Sequence, residues 1–162
     1  IGCILSPPGP RRSPLTDPTI RFQDHVDDVT PAQLAGPDGF FVGWPNPPSP
    51  ATHRRILAAS AYRVVAIDDA SGQVVGFVNA ISDGVLAAYI PLLEVRPGYQ
   101  RRGIGTALMR RLMAQLDDLY MVDLMASDDA RSFYARLDLG LEPCDGGLVR
   151  RRYDRQAGRP SA

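Results

Sequence analysis

Residues 93–108 read Leu-Glu-Val-Arg-Pro-Gly-Tyr-Gln-Arg-Arg-Gly-Ile-Gly-Thr-Ala-Leu, and their reading decides the fold. An apolar strand ends at Val95, a proline–glycine turn follows, and Gly103 and Gly105 stand where a helix begins. From there Ile104, Leu108, Leu112 and Leu116 recur at every fourth position. Arg102, Arg110 and Arg111 fall between them, so an amphipathic helix of about 14 residues is expected. The first amides of a helix have no partner inside it. With the helix dipole they form an anion site suited to a pyrophosphate. Glycine at 103 and 105 permits backbone angles and close approaches that a side chain blocks. Arg101 and Arg102 flank the turn with forked, permanently charged donors. The spacing matches neither G-x-x-x-x-G-K-[ST] nor G-x-G-x-x-G. A bare G-x-G also fits a plain turn flanked by solvated arginines, so phosphate binding and a structural turn both remain open on these residues alone.

Upstream, 62–68 (YRVVAID), 73–82 (QVVGFVNAIS) and 85–95 (VLAAYIPLLEV) read as three antiparallel strands joined by an Asp-Ala-Ser-Gly turn and by Asp83-Gly84. Pro91 cannot donate to a ladder and marks a bulge or a break in pairing. Downstream, 121–126 (MVDLMA) reads as a strand, 128–137 (DDARSFYARL) as a helix with acidic residues at its start, and 148–153 (LVRRRY) as a last strand. Before the meander, Thr19–Asp24 alternates like a short strand. Thr30-Pro31 opens a brief helix, and a second helix runs over 50–60 with His53, Arg54 and Arg55 on its wet side. The order predicts a mixed α/β domain over 19–155.

Composition narrows the function. The 162 residues suffice for one domain with its own core. The 18 basic residues, all arginine, balance 18 acidic ones, which argues against a nucleic-acid partner held by bulk charge. A chain without lysine excludes Schiff-base chemistry. No apolar run approaches the length of a membrane span. Cys3 and Cys144 make no disulfide framework. With His25 and His53 they give no metal-ligand spacing, so no metal is expected, and a cytoplasmic, reducing location is. No basic stretch leads into an apolar one at the start, so no secretory leader is expected. Five prolines in residues 6–18 predict an extended or disordered tail over 1–18, and a loose end is expected over 156–162. The stretch 37–50 (PDGFFVGWPNPPSP) sets Phe40, Phe41, Val42 and Trp44 among turn formers. It either tucks aromatics into the core or walls a ligand pocket.

Residues 93–108 resemble motif A of the GNAT superfamily of acetyl-coenzyme A-dependent N-acetyltransferases. Asp129–Leu139 (DARSFYARLDL) resembles the later family segment A-x-x-F-Y-x-x-L-G-F, and Val74–Val78 resembles the strand entering the central hairpin. The resemblance implies a mostly antiparallel, twisted central sheet, flanked by helices and splayed between its fourth and fifth strands. It implies acetyl-coenzyme A as co-substrate. The pantetheine arm would lie along Leu93 and Val95, and the pyrophosphate on the amides from Gln100 and Arg101 through Arg102, Gly103, Ile104 and Gly105 to Thr106. Tyr134 falls at the position of the tyrosine that protonates the leaving thiolate. With a reference pKa near 10 it is protonated at neutral pH. Tyr134 equally suits a core position beside Phe133.

The general base is less legible. Relatives often carry a carboxylate or histidine where this chain has Tyr89 and Pro91. Glu94 is the only acid on that strand and alternates away from Leu93 and Val95, so it is a candidate base or a structural ion-pair partner. A water relay involving Asp83 or Tyr89 is a further option. Ser127 stands where many relatives contact pantetheine with asparagine, and Leu137-Asp138-Leu139 replaces L-G-F. Cys144 has no histidine near it in sequence, which favours direct transfer over a covalent relay. The expected reaction is acetyl transfer to a small primary amine enclosed by Phe40, Phe41, Trp44 and Tyr89, in a monomer or homodimer. A peptide amine, or a coenzyme A-binding module without chemistry, would show the same motifs.

Overall fold

The computed structural model of the chain describes residues 19–36, 38–144 and 147–151. The expected tails over 1–18 and 156–162 lie outside these residues. Chain order is β1 (Ile20–Gln23), α1 (Pro31–Leu34), α2 (Pro50–Ala59), β2 (Tyr62–Asp68), β3 (Val74–Ser82), β4 (Ala87–Val95), a 3-10 turn (Pro97–Tyr99), α3 (Ile104–Gln115), β5 (Met121–Leu124), α4 (Asp128–Ala135), β6 (Glu142–Cys144) and β7 (Gly147–Arg151). The strands form one sheet in the order β1-β2-β3-β4-β5-β7-β6, antiparallel except for the β4–β5 pair. The expected α/β architecture is present, with one strand more than the sequence suggested: β6 is only three residues long and contains Pro143, too little for an alternating pattern.

Both faces of β2 and β3 are covered, which is why these strands read as continuous apolar runs. On one face α3 lies across Val64, Ala66 and Val78, and its Ile104, Leu108, Leu112 and Leu116 have 0–1% exposure. On the other face α1, α2 and the 38–48 loop cover Val65, Ile67 and Phe77 with Leu34, Phe41 and Leu57. The helix starts follow local chemistry. The Ser49 hydroxyl accepts from the Thr52 amide, and Pro50 occupies the first turn of α2.

Three local expectations are corrected. His53 is not on the wet side of α2: it is 2% exposed and shares its face with Leu57, four residues on. The third strand begins at Ala87 rather than Val85, because the Asp83 carboxylate accepts from the amides of Val85, Leu86 and Ala87 and holds them in a turn. The last strand starts at Gly147, and residues 152–153 fall outside the described range.

The feature that positions the site lies in β4. Asn79 pairs with Leu92 but Ile81 pairs with Tyr89, so Ala80 faces two residues, Ile90 and Pro91. This is the bulge expected at Pro91. The parallel β4–β5 pairing runs from Ala87↔Met121 to Ile90↔Leu124 and stops there. Beyond the bulge β4 continues to Val95, and among the described residues no strand lies on that side. The Arg96 amide donates to the Val75 carbonyl at 2.8 Å, so the backbone polar groups of Glu94 and Arg96 face β3. By alternation, those of Leu93 and Val95 face into the gap.

Candidate functional site: a carrier cleft beside an aromatic loop

The gap opens onto the start of α3. Arg101 (φ 61°) and Gly103 (φ 79°) both adopt left-handed backbone, and Gly103 caps the helix. Left-handed residues in a turn before a helix are the kind of backbone from which an amide nest for an anion can be built. Ala107 is the first residue of α3 to donate back along the helix, to Gly103 at 3.0 Å. The amides of Ile104, Gly105 and Thr106 precede that ladder. A cleft of about 410 Å³ lies over them, lined by Leu93, Val95, Arg101, Gly103, Gly105 and Thr106. Phe133 and Arg136, from α4 and its C-terminal cap, form the opposite wall. The helical Gly105 keeps this floor open. A Cβ there would stand 3.5 Å from Phe133 Cζ and 3.8 Å from Val95 Cγ2, ordinary contacts that would fill the floor without strain.

The turn is braced from a distance. The Tyr99 hydroxyl donates to the Asp68 carboxylate at 2.8 Å, and Ser71 donates to the same oxygen at 2.9 Å. With the Ala70 amide as a further donor, these bonds hold the Asp68 carboxyl below its usual range, the Tyr99 bond first among them. The Gln100 side-chain amide donates to the Val95 carbonyl at 3.0 Å. Arg102 does not line the cleft. Its guanidinium lies 5.0 Å from the Tyr99 ring centroid and donates to the Gly98 carbonyl. Arg101 and Arg136 are the cations at the cleft, and the sequence reading missed Arg136. The signal for it was the three-residue step from Phe133 along the same helix.

Tyr134 is half-buried beside Phe133, with ring centroids 5.1 Å apart, and burial raises its pKa above the ordinary tyrosine value. Ser127 caps α4 through its carbonyl, which accepts from Ala130 and Arg131. Its hydroxyl engages the Asp129 carboxylate, and neither Ser127 nor Tyr134 is among the residues lining the cleft over the start of α3. Asp83 caps a turn: its carboxylate accepts from three backbone amides, which lower its pKa.

Glu94 points to the side of the aromatic loop. Its carboxylate accepts from the Phe41 amide at 2.7 Å, and burial raises its pKa above the usual glutamate value. Phe41 itself is 4% exposed and sits at φ 63°, a costly angle for an aromatic residue. Phe40, Phe41 and Phe77 surround the buried His53 ring at centroid distances of 5.1, 4.9 and 4.4 Å. The core reading of the loop holds for Phe40 and Phe41, which pack inward, while Trp44 stays 49% exposed. Tyr89 is 40% exposed and pairs with Ile81 and Asp123. It lies before the bulge, away from Glu94. Among the described residues no group of His, Cys, Asp or Glu could hold a metal ion, and no helix is long and apolar enough to cross a membrane.

Residues 32–139 match the model of the acetyltransferase (GNAT) family, from α1 through the end of α4. The chain belongs to the GNAT family. A crystal structure from Deinococcus radiodurans R1, of a protein assigned as an acetyltransferase, is 53% identical. It has a TM-score of 0.73 and covers 89% of this chain and 96% of that one. A second, assigned to the GNAT family and from Xanthomonas campestris pv. campestris, is 26% identical with a TM-score of 0.62, covering 78% and 87%. Among curated relatives, GCN5-related N-acetyltransferase 3, chloroplastic, of Arabidopsis thaliana is 36% identical over 78 residues, 47% of this chain and 33% of that protein. Histone acetyltransferase TAP1 of Glycine max is 30% identical over 112 residues, 63% and 48% respectively. The chain thus spans only a third to a half of the length of these curated GNAT relatives. The family match nonetheless encloses the nest, the β4 gap, Glu94 and Tyr134.

Proposed function

We propose that the chain transfers an acetyl group from acetyl-coenzyme A to the primary amine of a small acceptor, by direct attack in a ternary complex. One observation carries this reading: the β4 edge at Leu93 and Val95, which no described strand covers, leads through the Pro97–Tyr99 turn to the helix-start amides at 101–106. A carrier with an amide-bearing arm and a diphosphate needs both features in that order. Arg101 and Arg136 supply the countercharge, and the cleft residues suit the carrier without a metal.

The acceptor amine must be neutral to attack the thioester carbonyl. A C–N bond forms, the C–S bond breaks, and the amine loses one proton while the thiolate gains one. Glu94 takes the amine proton, directly or through one water, and its raised pKa makes it a stronger base than an ordinary glutamate. Tyr134 gives its proton to the sulfur, and solvent returns the Glu94 proton to Tyr134. The aromatic loop, tied to Glu94 through the Phe41 amide, encloses the acceptor. The cysteine usage supports a reducing compartment such as the cytoplasm, although one relative is named chloroplastic.

Acetyl-coenzyme A turnover against a panel of amines, read as thiol release, tests the proposal. Acceptor-dependent release is expected. Tight coenzyme A binding with no release from any small amine or peptide would instead identify a carrier-binding module. Gly105→Ala tests the cleft. Alanine is the better helix former by about 0.5–1 kcal/mol, and its methyl group meets only ordinary contacts, so thermal stability should rise. The same methyl fills the floor needed by the diphosphate, so the Kd for acetyl-coenzyme A should rise about ten-fold. Unchanged affinity in the stabilised variant would remove this cleft from carrier binding.

A further inference from the structure

A second pocket, of about 190 Å³, lies under the proline-rich part of the loop. Leu34, Phe40, Phe41, Pro47 and Pro50 line it together with His53. Among the described residues, none in its lining carries a permanent charge, and His53 is the one titratable group there. His53 is 2% exposed, and its Nε2 is buried with no hydrogen-bond partner. Burial, and secondarily the nearby Arg96, lower the His53 pKa to about 4, so the ring is neutral at physiological pH. Arg96 is 7% exposed. It is anchored to the carbonyls of Val74 and Ala35 at 2.7 and 2.9 Å, and its guanidinium carbon lies 5.0 Å from the Phe40 ring centroid. A cation seated in the pocket would face that fixed positive charge across one ring. The nearby acids are turned elsewhere, Glu94 to the Phe41 amide and Asp38 toward Arg96, and no described lining residue offers a carboxylate to offset its lost hydration. Phe41 lines the pocket and also gives its amide to the Glu94 carboxylate, so one residue links the pocket to the proposed proton acceptor. A dry apolar cavity of about 150 Å³ already holds a benzene ring, so the volume suits a ring or a short alkyl chain.

We infer that this pocket selects the acceptor: it seats an uncharged, apolar, ring-sized or short-chain substituent of the amine, and it rejects acceptors carrying a second positive charge. This rests on the acetyltransferase reading and names the substrate class for that same site.

The test compares kcat/KM for linear primary amines of increasing chain length, with pentylamine matched against 1,5-diaminopentane. Activity should climb roughly four-fold per methylene until the pocket is full, and pentylamine should exceed the diamine at least ten-fold. Equal or better use of the diamine would overturn the inference. Phe40→Ala, which widens the pocket, should move the optimum to longer chains. A general loss with the optimum unmoved would mean that Phe40 is only structural and would also overturn it. Trp44, the sole tryptophan, packs 5.2 Å from the Phe41 ring, so its emission reports occupancy without turnover. Benzylamine should change it saturably, and no change would defeat the inference even in an active enzyme. A saturable change with no amine acetylated would defeat the acetyltransferase reading and leave the pocket standing.

Discussion

Tyr134→Phe should lower kcat about a thousand-fold while leaving the Kd for acetyl-coenzyme A unchanged. The ring packs on Phe133 through its apolar body, and phenylalanine keeps that contact. What is lost is one hydroxyl in a half-buried position. Burial holds its pKa above the ordinary tyrosine value, so it remains a proton donor across the physiological range. An oriented general acid typically contributes two to four orders of magnitude. Without that donor the leaving thiolate would depart unprotonated. Calorimetric titration of coenzyme A and a single-turnover rate separate binding from chemistry. A variant with full turnover would assign Tyr134 to the core and require another donor.

Glu94→Gln should lower kcat/KM about a hundred-fold at neutral pH and remove the acidic limb of its pH profile. The direction follows from burial. Desolvation disfavours the charged carboxylate, so the group keeps its proton to a higher pH than a free glutamate, and the Phe41 amide offsets this only in part. Below that raised pKa Glu94 cannot accept a proton, so wild-type activity should rise with pH through it. Stability runs the other way. A carboxyl whose folded pKa lies above its unfolded value favours the folded state fully only below the unfolded pKa, and that contribution fades as pH rises. Glutamine keeps an acceptor for the Phe41 amide and carries no buried charge, so the variant should melt no lower than wild type at pH 7. Retention of the acidic limb would show that another group titrates there.

The sheet and its principal helix were legible because their signals are local. The four-residue spacing from Ile104 to Leu116, the apolar runs of β2 and β3 and the proline at 91 each carry one physical meaning wherever they occur. The turn at 101–103 and the helix start after it were legible for the same reason, since they are main-chain features within one turn. What escaped depended on partners distant in the chain. His53 reads as polar until Phe40, Phe41 and Phe77 are folded around it. Arg102 and Arg136 carry the same charge, and only the placement of α4 sends Arg136 to the cleft while Tyr99 takes Arg102. Asp83 offers a carboxylate to any reader of the sequence, but three successive amides consume it. The departure at Leu137-Asp138-Leu139 has a local account: Asp138 adopts φ 53°, a conformation that aspartate tolerates better than most residues.

The Gln100 side chain has a thermodynamic corollary. Its amide already occupies the Val95 carbonyl that an incoming pantetheine would address. Docking along that edge swaps an internal partner for an external one, and an exchange of like for like yields little net free energy. On the proposed mode of binding, the peptide-like arm would be a ruler more than a handle: it would set the depth at which the thioester stops, and tenacity would come from the ionic end of the carrier.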